Sequence, residues 1–84
     1  MDKIKLHEEI CKSLTELYKR KNHDYSDSFG KGFKEYGIIM PVIRLEDKLL
    51  RLKSLTKADA EVKDESMRDT LLDLANYAIM TIIE

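Results

Sequence analysis

Glu65, Asp69, Asp73 and Asn76 follow one another by four, four and three residues, a spacing that stacks them as one stripe along a helix. Their neighbours Leu71, Leu72, Leu74 and Ala75 are apolar. Like charges at that spacing destabilise a helix by a few tenths of a kcal/mol each, so the stripe calls for water, a cation or basic partners. Water suffices near a helix start. For Asp73 and Asn76, deep in the apolar run, a bound partner is the better account.

Arg44, Lys48 and Arg51 are candidates for that partner, because steps of four and three place them on one edge of a second helix, with Asp47 four residues before Arg51. Alone they would be intrahelical ion-pair trim. Facing an acidic stripe, they could hold a phosphorylated ligand: arginine forks onto phosphate oxygens while carboxylates orient it or recruit a metal. A third cluster holds Asn22, His23, Asp24, Tyr25, Asp27 and Ser28. Tyr25, Phe29, Phe33 and Tyr36 offer flat faces for a base to stack on, or plain hydrophobic plugs, the simpler role for Phe29 and Phe33. Histidine is a residue type suited to acid–base work, although for His23 a hydrogen-bonding loop role is simpler. His7 lies among charges and reads as surface. Gly30-Lys31-Gly32 lacks the spacing and the Lys-Ser/Thr ending of a phosphate loop. Cys11 has no second cysteine, which argues against a zinc site or an intrachain disulfide.

The elements that must position these groups are helical. Leu6, Ile10, Leu14 and Leu17, widened by Cys11 and Tyr18, share one face and predict a helix over about residues 2–22, with Lys19, Arg20 and Lys21 suited to its C-terminal end. Asn22 to Gly37 holds all 3 glycines and reads as an ordered loop with room for one helical turn. Pro41 suits a first turn, and Val42, Leu45, Leu49 and Leu52 continue a helix over about 40–56. Thr56 to Glu61 lacks an apolar stripe and reads as a connection. Asp64, Glu65 and Ser66 supply capping oxygens for a helix over about 64–84, along which Met67, Leu71, Leu74, Ala78 and Ile82 recur. Leu72, Ala75, Ile79 and Ile83 form a second apolar row beside the first, more than three helices can cover, so a homo-oligomeric helical bundle is expected.

Composition bounds the rest. With 84 residues, the chain is a single all-α domain spanning 1–84. Its 15 basic and 16 acidic side chains disfavour a bulk nucleic-acid clamp, and 43% hydrophobic content disfavours disorder. Leu71 to Ile83 is interrupted by Asp73 and Asn76 and falls short of the roughly 20 residues of a membrane span. The lone cysteine and the absence of a signal-like start predict a protein of reducing cytosol.

Several separated runs resemble one family. Lys21-Asn22-His23-Asp24-Tyr25 with Asp27-Ser28-Phe29, then Arg44-Leu45, Asp47-Lys48 and Arg51-Leu52, then Asp64-Glu65-Ser66, Asp69-Thr70-Leu71 and Asp73-Leu74-Ala75-Asn76-Tyr77-Ala78 resemble the small phage and prophage proteins of nucleotide modification associated domain 1. The likeness spans about residues 18–83. Ser26 stands where that family has glycine. The resemblance implies a phage or prophage origin, a place in the bacterial host cytosol and a link to nucleotides. A more distant likeness is to the all-α nucleoside triphosphate pyrophosphohydrolases of MazG and dimeric dUTPase type, whose four carboxylates hold Mg²⁺ against a triphosphate. Two of those carboxylates stand on the second helix of each pair, and Glu65, Asp69 and Asp73 give a rough match to that helix. The helix expected over about 40–56 offers only Glu46 and Asp47 side by side, with Leu50 and Arg51 where the second acid should stand.

That replacement of acids by cations sets the order of expectations. A site with Arg44, Lys48 and Arg51 neutralises phosphate without Mg²⁺ and suits holding more than cutting. First stands capture of a nucleotide or cyclic nucleotide by Asn22, His23, Asp24, Tyr25, Asp27, Ser28, Arg44, Asp47, Lys48, Arg51, Asp69, Asp73 and Asn76, with no cofactor. By analogy, such a phage protein would be a sponge for a signalling nucleotide of bacterial defence. Second stands a Mg²⁺-dependent pyrophosphohydrolase with Asp47, Glu65, Asp69 and Asp73 as ligands. Third is a protein inhibitor of a host enzyme, which leaves the polar clusters unexplained.

Overall fold

The computed structural model describes the backbone of residues 2–57 and 60–84, and the side chains of 2–57 and 66–84. Its elements are four helices, α1 (Lys3–Tyr25), α2 (Ser28–Tyr36), α3 (Ile39–Leu55) and α4 (Ala60–Ile83), with no strand among the described residues. The all-α expectation holds. The expectation of three helices does not.

The extra helix lies in what reads as a loop. α1 starts on Asp2, whose carboxylate accepts from the N–H groups of Ile4 and Lys5 at 3.0 and 3.2 Å, relieving two orphan donors. It then runs past Asn22 to Tyr25, with Leu14, Tyr18, Lys21 and Tyr25 at helical spacing along one side. Ser26 and Asp27 stop it, both left-handed at φ 52° and 55°. The N–H of Asp27 returns to the Asn22 carbonyl at 3.2 Å, closing the end. α2 follows at once. Its glycines cost about 1 kcal/mol each in helix propensity, but the helix buries Phe29 and half-buries Phe33, and a fully buried aromatic contributes roughly 2–3 kcal/mol. Packing therefore outweighs turn chemistry here. Gly32 also admits α3: a Cβ there would stand 3.2 Å from Cε of Met40.

Gly37, at φ 75°, turns the chain into α3, whose first turn carries Pro41 as predicted. α4 begins at Ala60, earlier than the expected start at Asp64. Ala60 and Glu61 are strong helix formers, so a segment without an apolar stripe is still helical. The side chains of Asp64 and Glu65 lie outside the described residues.

α3 and α4 form an antiparallel pair whose register shows in its polar contacts. Lys48 meets Asp73 and Arg51 meets Thr70, three residues earlier on one helix for three later on the other. α2 leans on α3, and the C-terminal half of α1 crosses α4. The core is small: Leu14 is 5% exposed, Phe29 8% and Thr70 2%, with Pro41 also enclosed. Predicted core stripes are only partly used. On α3, Leu45 and Leu52 are half-buried but Val42 and Leu49 are exposed, because Lys48 and Arg51, reaching for α4, fix which side of the helix turns inward. On α1, Leu14 is buried while Leu6 and Ile10 are exposed, since the contacts to α4 fall at Leu14 and beyond. On α4, Leu72, Leu74 and Ala75 are half-buried, whereas Leu71, Ala78, Ile79, Ile82 and Ile83 are exposed. Among the described residues, no helix is long and apolar enough to cross a membrane.

Candidate functional site

Where α1 crosses the α3–α4 pair, a cavity of about 410 Å³ opens between them and the start of α2. That is within the few hundred to 1,000 Å³ usual for small-molecule sites. Tyr18, Lys21, Asn22 and Tyr25 line it from α1, with Tyr18, Lys21 and Tyr25 at helical steps of three and four. Ser28 and Phe29 close one side from α2, Arg44 comes from α3, and Asp73, Asn76, Tyr77 and Met80 come from α4.

The wall is cationic and aromatic around one carboxylate. Asp73 is gripped from both sides, by Lys48 Nζ at 3.2 Å and Lys21 Nζ at 3.7 Å. All three side chains keep some solvent contact, so each pair contributes at most about 1 kcal/mol. Lys21 is the more exposed of the two lysines and the freer to turn toward a ligand. Arg44 Nε donates to the soft sulfur of Met40 at 3.3 Å, a weak acceptor that leaves the guanidinium available. Tyr77 stacks on Phe29 with centroids 6.0 Å apart and planes 21° apart, within the range of an offset aromatic pair. Lys48 Nζ stands 6.0 Å from the same ring. Asn76 Nδ2 donates to the Leu14 carbonyl at 3.3 Å, tying α4 to the middle of α1.

The residues marked from sequence therefore separate. Asn22, Tyr25, Ser28, Arg44, Asp73 and Asn76 come together at the cavity, and Lys48 joins them through Asp73. Arg51 does not line it: its Nε donates to Thr70 Oγ1 at 3.2 Å, and that hydroxyl donates onward to the Ser66 carbonyl at 2.6 Å. His23 and Asp24 face solvent and pair with each other at 3.5 Å. Asp27 lines a separate shallow groove with Lys31, Lys34 and Glu84. Asp47 and Asp69 are exposed and line neither cavity. Glu65, the remaining acid of the Mg²⁺ alternative, lies outside the described side chains. Among the described residues, no three His, Cys, Asp or Glu side chains gather as a metal-binding group.

Sequence reasoning missed several walls of this cavity. Tyr18 reads as core and Lys21 as a helix-end cation, while Tyr77 and Met80 carry no expected role in the site. The available signal was their spacing: Tyr18, Lys21 and Tyr25 share one face of α1, and Asp73, Tyr77 and Met80 share one face of α4.

These features define an all-α domain with one cation-rich, aromatic pocket at a helix crossing. The chain belongs to the nucleotide modification associated domain 1 family, whose model matches residues 21–84, a span that includes every lining residue except Tyr18. No curated protein matches it, and neither does any solved structure.

Proposed function

We propose that this chain captures a phosphorylated nucleotide in the cavity at the α1–α4 crossing and releases it unchanged. Lys21 and Arg44 take the phosphate, Tyr25 offers a ring for the base, and the Asn22 and Asn76 amides meet its polar edge. The observation that carries the reading is the lining itself: cations and aromatic rings surround a single carboxylate, Asp73, already neutralised by Lys21 and Lys48. An anion entering this pocket meets net positive charge, and the flat rings favour a ligand with a π-face. The family description, which ties the domain to nucleotide modification, supports the same ligand class. Since the protein's own cations balance the phosphate, capture needs no added Mg²⁺. Such a protein would act as a sponge, withholding a signalling nucleotide from its receptor.

Calorimetry with mono-, di-, tri- and cyclic nucleotides, in EDTA, tests this. At least one class should bind, and Arg44→Ala should weaken it about ten- to a hundredfold, the worth of a charged hydrogen bond. Unaltered affinity in that variant defeats the proposed pocket. Appearance of nucleoside monophosphate and pyrophosphate from a triphosphate with Mg²⁺ would replace capture by hydrolysis.

A further inference from the structure

α3 is apolar on two opposite sides. One side carries Pro41, Leu45 and Leu52 inward with Lys48 and Arg51. On the other, Ile39, Val42, Ile43, Leu49 and Leu50 fall on a single face at 100° per residue, and they remain 55%, 46%, 51%, 48% and 54% exposed. A helix apolar on both sides belongs between two layers. The described chain supplies one.

The size of the missing layer can be read from the whole molecule. The accessible surface is 6734 Å², whereas a self-contained monomer of 9.8 kDa exposes about 5,200 Å². The radius of gyration, 14.3 Å, likewise exceeds the roughly 12 Å of a compact chain of this length. The excess of about 1,500 Å² per chain is shared with the exposed apolar residues of α1 and α4, and even half of it, removed from two chains, reaches the size of a standard interface.

The charges on this face fit it to itself. Glu46 and Lys53 lie among the exposed apolar residues, two turns and roughly 10 Å apart, too far to pair along their own helix. If a twofold axis passes between Leu49 and Leu50, an antiparallel second α3 sets each Glu46 opposite the other copy's Lys53. We infer that the outer face of α3 is the interface of a symmetric homodimer, closed by α3 of a second copy with Leu49 and Leu50 at its centre. This inference is independent of the nucleotide reading, which uses the inner side of the same helix.

Sedimentation equilibrium of the full chain at micromolar concentration tests it. The wild type should show at least twice the single-chain mass, and a single-chain mass overturns the proposal. Glu46→Lys and Lys53→Glu, both at exposed positions, should each raise the dissociation constant about tenfold by setting like charges across the axis. The double variant E46K/K53E restores both pairs and should return to wild-type affinity. Single variants with unchanged affinity, or a double variant as weak as the singles, overturn the α3–α3 arrangement whatever the mass. Circular dichroism of each variant confirms that the helices persist.

Discussion

The two sides of α3 do different work with similar residues. Inward, polar groups set the register: Arg51 holds Thr70 and Lys48 holds Asp73, and Leu45 and Leu52 lie half-buried on the same side. Outward, Ile39, Val42, Ile43, Leu49 and Leu50 share one apolar face and keep about half of their surface in water. Apolar content alone therefore does not decide which side of a helix packs within its own chain. Directional contacts do, because an ion pair or hydrogen bond has one geometry while apolar surface accepts many.

The largest effect should separate folding from association. Phe29→Ala removes a buried ring against Tyr77 and should lower the unfolding free energy by about 3–5 kcal/mol. Ile43→Ala, already half in water, should cost about 1 kcal/mol when measured at concentrations where one copy predominates. Urea unfolding of both variants checks this, and equal losses would erase the distinction between the two sides. A smaller effect tests whether the inner polar contacts are structural. Thr70→Val keeps the shape of a buried side chain but removes the hydroxyl shared by Arg51 and Ser66. The loss should be about 1 kcal/mol, since Arg51 is exposed and water can replace its partner. Nucleotide affinity should not move, because neither Thr70 nor Arg51 lines the cavity.

How much of this was legible in the sequence follows the same division. Periodicity found the all-α class, the first turn at Pro41 and the rough extent of the long helices, because those depend on local spacing. It missed α2, where the segment's glycines outweighed Phe29 and Phe33, whose value appears only once Tyr77 lies beside one of them. At the site, Asp73 and Asn76 stood out as polar residues deep in an apolar run, Arg44 by its spacing from Lys48 and Arg51, and Asn22 by its place in a polar cluster. His23, Asp24, Asp47 and Asp69 shared their composition but not their direction. Direction was also what hid Lys21 and Tyr18, which join the cavity only because α1 crosses α4 at that level. Arg51 was marked for phosphate by its spacing from Arg44, yet spacing on one helix says nothing about a threonine waiting on the next.

The smallest predicted effect lies outside both faces. Ser26 and Asp27 are both held left-handed, a conformation costing an ordinary residue about 1 kcal/mol or more and glycine almost nothing. Asp27 has the short polar side chain that tolerates it, whereas Ser26 occupies the position at which the helix end favours glycine. Ser26→Gly relieves the folded state but also loosens the unfolded chain, so the net gain should be about 0.5–1 kcal/mol. The α1–α2 junction belongs to one chain, so the midpoint of urea unfolding should rise while the sedimentation mass and the effect of Glu46→Lys stay as they were. A change in mass would mean that the junction shapes the outer surface as well, and that the two sides of α3 are less separable than their contacts suggest.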